Sequence, residues 1–321
     1  MAFWDNKQVL VTGGGGFVGS HLVEQLLIEG AKIRVVGTKE KPIRLSAFGN
    51  KIEYVQADLM KLDNCTKIMK KVDVVFHLAS IVAGIGYNVS HHAEMYRSNS
   101  LLNFNVLEAV RIENVGRYQC TSSTCVYPRD TIIPTPETEG FVDDPEPTVI
   151  GYGWAKRVAE IQSKLYAQDY DVKISIVRPT NIYGPRDNFD PKTSHVIPAL
   201  IDKIMNSTDS VTIWGSGNQT RSFIFAKDVT RAMIELMEKY PQADPINIGT
   251  EEEVTIRDLV SLIISICDKN LKLNFDTTKP EGQPRKFADI SKIKKIINWE
   301  PEYSLKMGLE ETIKWYKKNR Y

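Results

Sequence analysis

Apolar residues follow two alternating rhythms along this chain. Short strand-like runs, most of them apolar at nearly every position, occur as VLVT at 9–12, IRVV at 33–36, IEYV at 52–55, VDVVFHLA at 72–79 and RYQCTS at 117–122. Between them lie longer stretches with the helical period of about 3.6 residues, over 17–29 and 99–113. A strand apolar on both sides belongs in a sheet covered on both faces, and strands separated by helical crossovers pair in parallel. The pattern predicts an α/β fold, a Rossmann-type doubly wound parallel sheet.

A helix over 152–170 and the strand KISIVRP at 173–179 continue the series, and then the rhythm changes. Short strands (VTIW, LKLNF), Pro and Gly punctuation and helices near 196–206, 255–267 and 305–318 read as a smaller mixed α/β lobe. A helix at 227–239 and the strand PINIG at 245–249 return to the sheet. The expected division is 1–179 plus 226–249 for the large domain and 180–225 plus 250–321 for the lobe, with a cleft between them.

At 321 residues the chain exceeds the roughly 250–300 at which single cores stop growing, which agrees with a domain plus a lobe. With 42% hydrophobic and 25% charged residues it belongs to none of the disordered, collagen-like or disulfide-scaffold classes. A net charge of +1 supplies no reason to expect a nucleic acid or a membrane as partner. Cys65, Cys120, Cys125 and Cys267 lack metal-ligand spacing, so no metal is expected. The opening MAFWDNKQVL has no basic region followed by an apolar stretch, and no window approaches the roughly 18 apolar residues of a membrane span; a reduced, cytoplasmic protein is expected.

The first strand runs into Thr12-Gly13-Gly14-Gly15-Gly16-Phe17-Val18-Gly19 and then a helix. Gly13 suits a tight turn, Gly16 a close backbone approach to a diphosphate, and Gly19 close packing of helix on strand, a pattern that predicts a dinucleotide cradle. The second strand ends Val36-Gly37-Thr38-Lys39-Glu40-Lys41, without an acid at the first positions. Lys39 and Lys41 favour NADP; if they are plain surface charges and Glu40 reaches the ribose, the cofactor is NAD. Asp58 and Leu59, after the third strand, are candidates to meet the adenine, and Leu78 and Ala79 end the fourth strand at the cofactor edge.

Tyr152 and Lys156 stand four apart on a predicted helix and share a face. A cation beside a phenol favours the phenolate, which makes Tyr152 a candidate to exchange a proton with a substrate oxygen. Ser123, in Ser122-Ser123-Thr124-Cys125-Val126-Tyr127 at the end of the fifth strand, is placed to hold that oxygen.

Taken in order, TGGGGFVGSHL, HLAS, NSLLNFNVLEA, SSTCVYP, YGWAK, RPTNIYGP, WGSGNQTRSFIF and INIG span the chain and resemble the extended short-chain dehydrogenase/reductases that act on nucleotide sugars. SSTCVYP, PTNIYGPRDNFDPKTSHVIPALI, IWGSGNQTRSF and FDTTKPEGQPRK look most like its GDP-L-fucose synthase branch, which epimerises C3 and C5 and reduces C4 of a GDP-4-keto-6-deoxy-hexose. The resemblance implies Ser123, Tyr152 and Lys156 as catalytic triad and Cys125 with His195 as epimerisation pair. It implies cofactor contacts from Phe17, Val18, Tyr152, Lys156, Pro179, Asn181, Ile182 and His195, and substrate contacts from Ser123, Asn181, Lys203, Trp214, Arg221 and Arg285, with Lys286 beside them. It implies a homodimer through helices 99–113 and 152–170. An NAD-retaining sugar-nucleotide 4-epimerase or 4-dehydrogenase, or a GDP-mannose 3,5-epimerase-like enzyme to which IEYVQADL is similar, stays open, with a non-enzymatic nucleotide sensor ranked last.

Overall fold

The computed structural model describes residues 2–40, 42–190, 193–278 and 283–319. The chain runs β1 (Gln8–Thr12), α1 (Phe17–Ile28), β2 (Lys32–Gly37), β3 (Ile52–Gln56), α2 (Leu62–Met69), β4 (Val74–His77), α3 (Ile85–Ser90), α4 (His92–Ile112), β5 (Arg117–Thr121), α5 (Ile150–Asp169) and β6 (Lys173–Pro179). It continues with β7 (Asn181–Tyr183), α6 (Val196–Asn206), β8 (Ser210–Trp214), β9 (Thr220–Phe225), α7 (Ala226–Lys239), β10 (Gln242–Ile248), β11 (Glu253–Thr255), α8 (Ile256–Ile266), β12 (Lys272–Asp276), β13 (Arg285–Lys286), α9 (Ser291–Ile297) and α10 (Leu305–Asn319).

The large sheet has the order β10-β6-β5-β4-β1-β2-β3, and every pair in it is parallel. The chain reverses direction across the sheet between β1 and β4, the crevice position at which doubly wound folds bind ligands. Val9, Val11 and Phe76 enter one core beneath α1 and α7, whereas Leu10, Val36 and Val75 enter a second core beneath α2, α4 and α5. Successive strand residues point to opposite faces and both faces are covered, which is why these strands are apolar at nearly every position. Ile290, Ile293 and Trp299 pack into the first of these cores, so the stretch around α9 also covers the large sheet.

In the lobe, β9 pairs with β11, β13 and β7, and β8 pairs in parallel with β12. Ile197, Ile201 and Ile204 of α6, Leu259 and Ile263 of α8, Leu309 and Ile313 of α10, and Phe223 and Phe225 of β9 make a third core. Two helical features differ from the sequence pattern. The helix expected from 99 starts at His92, because Met95 is the one buried apolar residue in its otherwise polar opening turns; α2 shows through only Cys65, Ile68 and Met69, too short a run to display a period.

Candidate active site

Parallel strands deliver their C-terminal ends to one edge, and the candidate residues collect along it. Gly13 takes φ +69°, the left-handed region that glycine enters at no cost, and a Cβ there would lie 2.8 Å from the Ala79 nitrogen. At Gly19 a Cβ would collide with the Gly13 carbonyl. The turn is therefore as close to β4 and to its own helix as backbone allows. Gly16 precedes α1, which opens with Phe17 and Val18, has no side-chain cap and carries no acidic residue in its first turn. Its first N–H groups thus remain available to an anion, and this cradle fits a dinucleotide diphosphate.

Thr38 and Lys39 follow β2 with exposed side chains, and their carbonyls accept from Gln56 at 2.8 Å and from the Tyr54 hydroxyl. Lys41 lies outside the described residues. Asp58 is exposed after β3 and its carboxylate accepts from the Met60 nitrogen at 3.0 Å, while Leu59 is buried.

Tyr152 and Lys156 occupy the start of α5, the ammonium 5.3 Å from the phenol ring centroid. Lys156 is 3% exposed and donates to the Thr121 carbonyl at 2.8 Å; one of its three donors is thereby used, and the half-buried Tyr152 makes no side-chain hydrogen bond among the described residues. Ser123 accepts from the Cys125 nitrogen at 3.2 Å. Gly153 brings this loop against α5, since a Cβ there would stand 2.6 Å from the Cys125 carbonyl. Ser123, Cys125, Tyr152 and Lys156 are thus brought together. Cys125 is half-exposed, whereas Cys65, Cys120 and Cys267 are buried.

Behind them is a web that periodicity and motif spacing leave unmarked. Asn103 accepts from His77 Nε2 at 3.0 Å, which leaves Nδ1 to accept the Thr12 hydroxyl at 2.7 Å; Thr12 in turn accepts the Ala79 N–H at 3.2 Å. Burial, helped by the Lys156 charge and opposed by Asn103, pushes His77 down to about 3, so the ring is neutral. This chain ties the end of β1 to the Leu78-Ala79 strand end and to α4.

The lobe side is looser. Pro179 ends β6 beside Ile248; Asn181 donates to the Ser222 carbonyl at 2.9 Å, and Ile182 packs onto the first core. Thr124, Tyr127, Thr180, Asn181, Ser222, Arg285, Lys286 and Phe287 are among the residues lining a narrow crevice, whereas Ser123, Cys125, Tyr152 and Lys156 are not. Lys203, Trp214 and His195 stand on α6 and β8, or at their ends, and are not among its lining residues. Lys203 donates to the Thr212 carbonyl, and Trp214 is 61% exposed. Arg221 donates to the carbonyls of Thr220 and Gln283 at 2.7 and 2.8 Å, and burial lowers its pKa. Arg285 forms a two-pronged pair with Glu253, both bonds 2.7 Å, while Lys286 has no side-chain partner among the described residues. His195 is exposed at the head of α6, and partial desolvation lowers its pKa from the ordinary histidine value.

Several known proteins are similar to this chain over most of its length. Over 98% of its length the chain is 32% identical to a dTDP-4-dehydro-6-deoxy-D-allose reductase of a Streptomyces species, covering 97% of it. Equally, it is 32% identical to GDP-mannose 3,5-epimerase 1 of Oryza sativa subsp. indica, with 98% and 83% of the two chains covered. It is 31% identical to GDP-L-fucose synthase 1 of Arabidopsis thaliana, with 98% and 94% covered. The solved structure of UDP-glucose 4-epimerase from Thermotoga maritima superposes with a TM-score of 0.86 at 26% identity, covering 98% of this chain and all of that one. These relatives are enzymes, which sets aside the nucleotide-sensor reading. Residues 9–249 match the model of the NAD dependent epimerase/dehydratase family, and the chain belongs to that family, as an NAD(P)-dependent enzyme of nucleotide sugars.

Proposed function

We propose that the protein catalyses NADPH-dependent 3,5-epimerisation and 4-reduction of a GDP-4-keto-6-deoxy-hexose, acting as a cytoplasmic homodimer. The observation that carries this reading is Cys125: the one cysteine that is not buried lies two residues from Ser123 and against the turn of α5 that holds Tyr152. A plain reductase or 4-epimerase has no use for a thiol there. GDP as the nucleotide is supported by two relatives with GDP-sugar names. The homodimer is supported by Tyr96 and Phe104 on α4 and Ile161 and Leu165 on α5, each more than 40% exposed on helices that pack side by side. Four free thiols agree with a reducing compartment.

A ketone at C4 acidifies the protons on C3 and C5. Of Cys125 and His195, one removes a proton from carbon and the other returns one to the opposite face. Partial loss of hydration lowers the His195 pKa, which favours the neutral ring. Ser123 holds the C4 oxygen and Tyr152 protonates it. Lys156 and the glycine cradle would hold a nicotinamide cofactor, which when bound would supply the hydride for C4.

Mixing the protein with GDP-4-keto-6-deoxymannose and NADPH and following nicotinamide absorbance tests this: consumption is expected, and none with any GDP-keto-sugar would discard it. In deuterated water, Cys125→Ser should suppress deuterium uptake at C3 and C5 while leaving cofactor binding intact. A second reading, an NAD-retaining 4-epimerase or 4-dehydrogenase, is favoured by Arg44, the first arginine after β2, whose guanidinium is turned onto the carbonyls of Arg186 and Asp187 at 2.6 and 3.4 Å. Tightly held NAD in the purified protein, without NADPH consumption, would select it.

A further inference from the structure

Beneath the loop carrying Ser123 and Cys125 lies an ion pair shut off from water. Arg178 on β6 donates through Nε to Glu160 Oε1 at 2.8 Å and through Nη2 to Glu160 Oε2 at 2.6 Å, with side chains 1% and 0% exposed. Burial alone would lower the arginine pKa, but the bonds to Glu160 and its charge more than offset that and raise it. Ser122 Oγ donates to Glu160 Oε1 at 2.5 Å. Arg178 Nη1 donates to the Tyr127 hydroxyl at 3.1 Å and to the Glu137 carbonyl at 2.7 Å, and Tyr127 donates to Asn247 Oδ1 at 2.6 Å.

Such a pair is a poor source of stability, because apolar side chains of similar volume commonly do as well or better in its place. Its geometry has another consequence. Ser122 and Tyr127 bracket Ser123, Thr124 and Cys125, so the pair grips both ends of the reactive loop. Glu160 stands one turn beyond Lys156 and two beyond Tyr152 on α5, so the grip is referred to the helix that carries the proton donor. Gly140 leaves room for the guanidinium, since a Cβ there would collide with it.

We propose that Glu160 and Arg178 are positioning residues that hold Ser123 and Cys125 in register with Tyr152 by clamping the loop 122–127 to α5. The catalytic part of this proposal rests on the function proposed above; the mechanical part does not. Two variants separate the clamp from general stability. Glu160→Leu with Arg178→Met replaces the charged pair by apolar volume, and Ser122→Ala deletes one oxygen at the edge of the network. Cys125 reports loop position directly, through its rate of alkylation by iodoacetamide read by peptide mass spectrometry, because the other three thiols are buried.

In the double variant, cooperative unfolding and nicotinamide cofactor binding should persist, while Cys125 is alkylated about tenfold faster as the loop opens locally. Turnover should fall about 10²-fold at little-changed KM, the loss expected from misplacing reacting groups by about 1 Å. Ser122→Ala should shift both readouts the same way by a smaller factor. Parental alkylation and kcat in the double variant, or in Ser122→Ala if the double variant does not fold, overturn the proposal. A parent protein that consumes no NADPH with any GDP-keto-sugar defeats the assigned function alone, because alkylation is measured without turnover.

Discussion

The edge of the large sheet and the face of the smaller lobe hold their functional groups in opposite ways. On the sheet edge, Gly13 and Gly19 sit where no side chain fits, Lys156 is pinned to the Thr121 carbonyl, and His77 is wired to Thr12 and Asn103 out of water. In the lobe, Lys203 and Arg221 are bonded to local carbonyls, Arg285 is half-exposed and paired with Glu253, and Lys286 has no side-chain partner among the described residues. Moving a group on the sheet edge disturbs a packed core, whereas exchanging an exposed cation costs little stability.

The greatest effect is expected on the sheet side. Tyr152→Phe should lower kcat about 10²–10⁴-fold, the usual worth of a positioned general acid, with cofactor affinity unchanged in a fluorescence titration. Undiminished turnover would remove the proton donor from that region and break the contrast.

Acid should next distinguish the two regions through stability. Burial, with the neighbouring Arg186 charge, holds His21 at about 3, and burial with Lys156 does the same for His77. Both rings stay neutral in the fold and gain protons in the unfolded chain below about 6.5. The unfolded state then binds more protons, so each histidine removes about 1.4 kcal/mol of stability per pH unit as pH falls from about 6.5 toward 3. Asp187, on the loop leading into the lobe, works the other way: burial raises it to about 7 despite the Asn188 N–H and Arg44, and its stabilising protonated form is lost as pH rises from about 4 to 7. Denaturant unfolding at about pH 5 and pH 7 should therefore show the parent weaker in acid, and Asp187→Asn should steepen that dependence. Equal slopes would mean the carboxyl is ionised in the fold.

In the lobe the effects should be smaller and fall on KM. Lys286→Ala should raise KM for the nucleotide sugar about tenfold, the worth of one charged hydrogen bond, with kcat little changed. Smallest of all, Arg285→Ala and Lys203→Ala should change KM by no more than about twofold, because their charges are already engaged near the surface. A larger loss at Arg285 than at Lys286 would show that the Glu253 pair opens for substrate.

Each of these groups was visible in the sequence to a different degree. The glycine turn and the Tyr152–Lys156 spacing are local signals, complete within nine residues, and backbone geometry sets each of them. The buried strands are legible because both their faces are covered. Arg178 left one trace, a charge inside the apolar run KISIVRP, but nothing nearby pointed to Glu160 as its partner. His77 stood in HLAS without any sign of Thr12 or Asn103. Lys203 and Arg221 could be read as cations in a motif, but not as donors already held by Thr212, Thr220 and Gln283.

Periodicity, glycine placement and helix spacing were enough to specify a doubly wound sheet, a dinucleotide cradle and a tyrosine beside a lysine, because each depends on backbone stereochemistry repeated over a few residues. Which cysteine meets solvent, which lysine remains unbonded, and how an arginine on one strand steadies a loop from another emerged only on folding. Those properties depend on burial and on hydrogen bonds between segments far apart in the chain, and no local pattern encodes the distance between them.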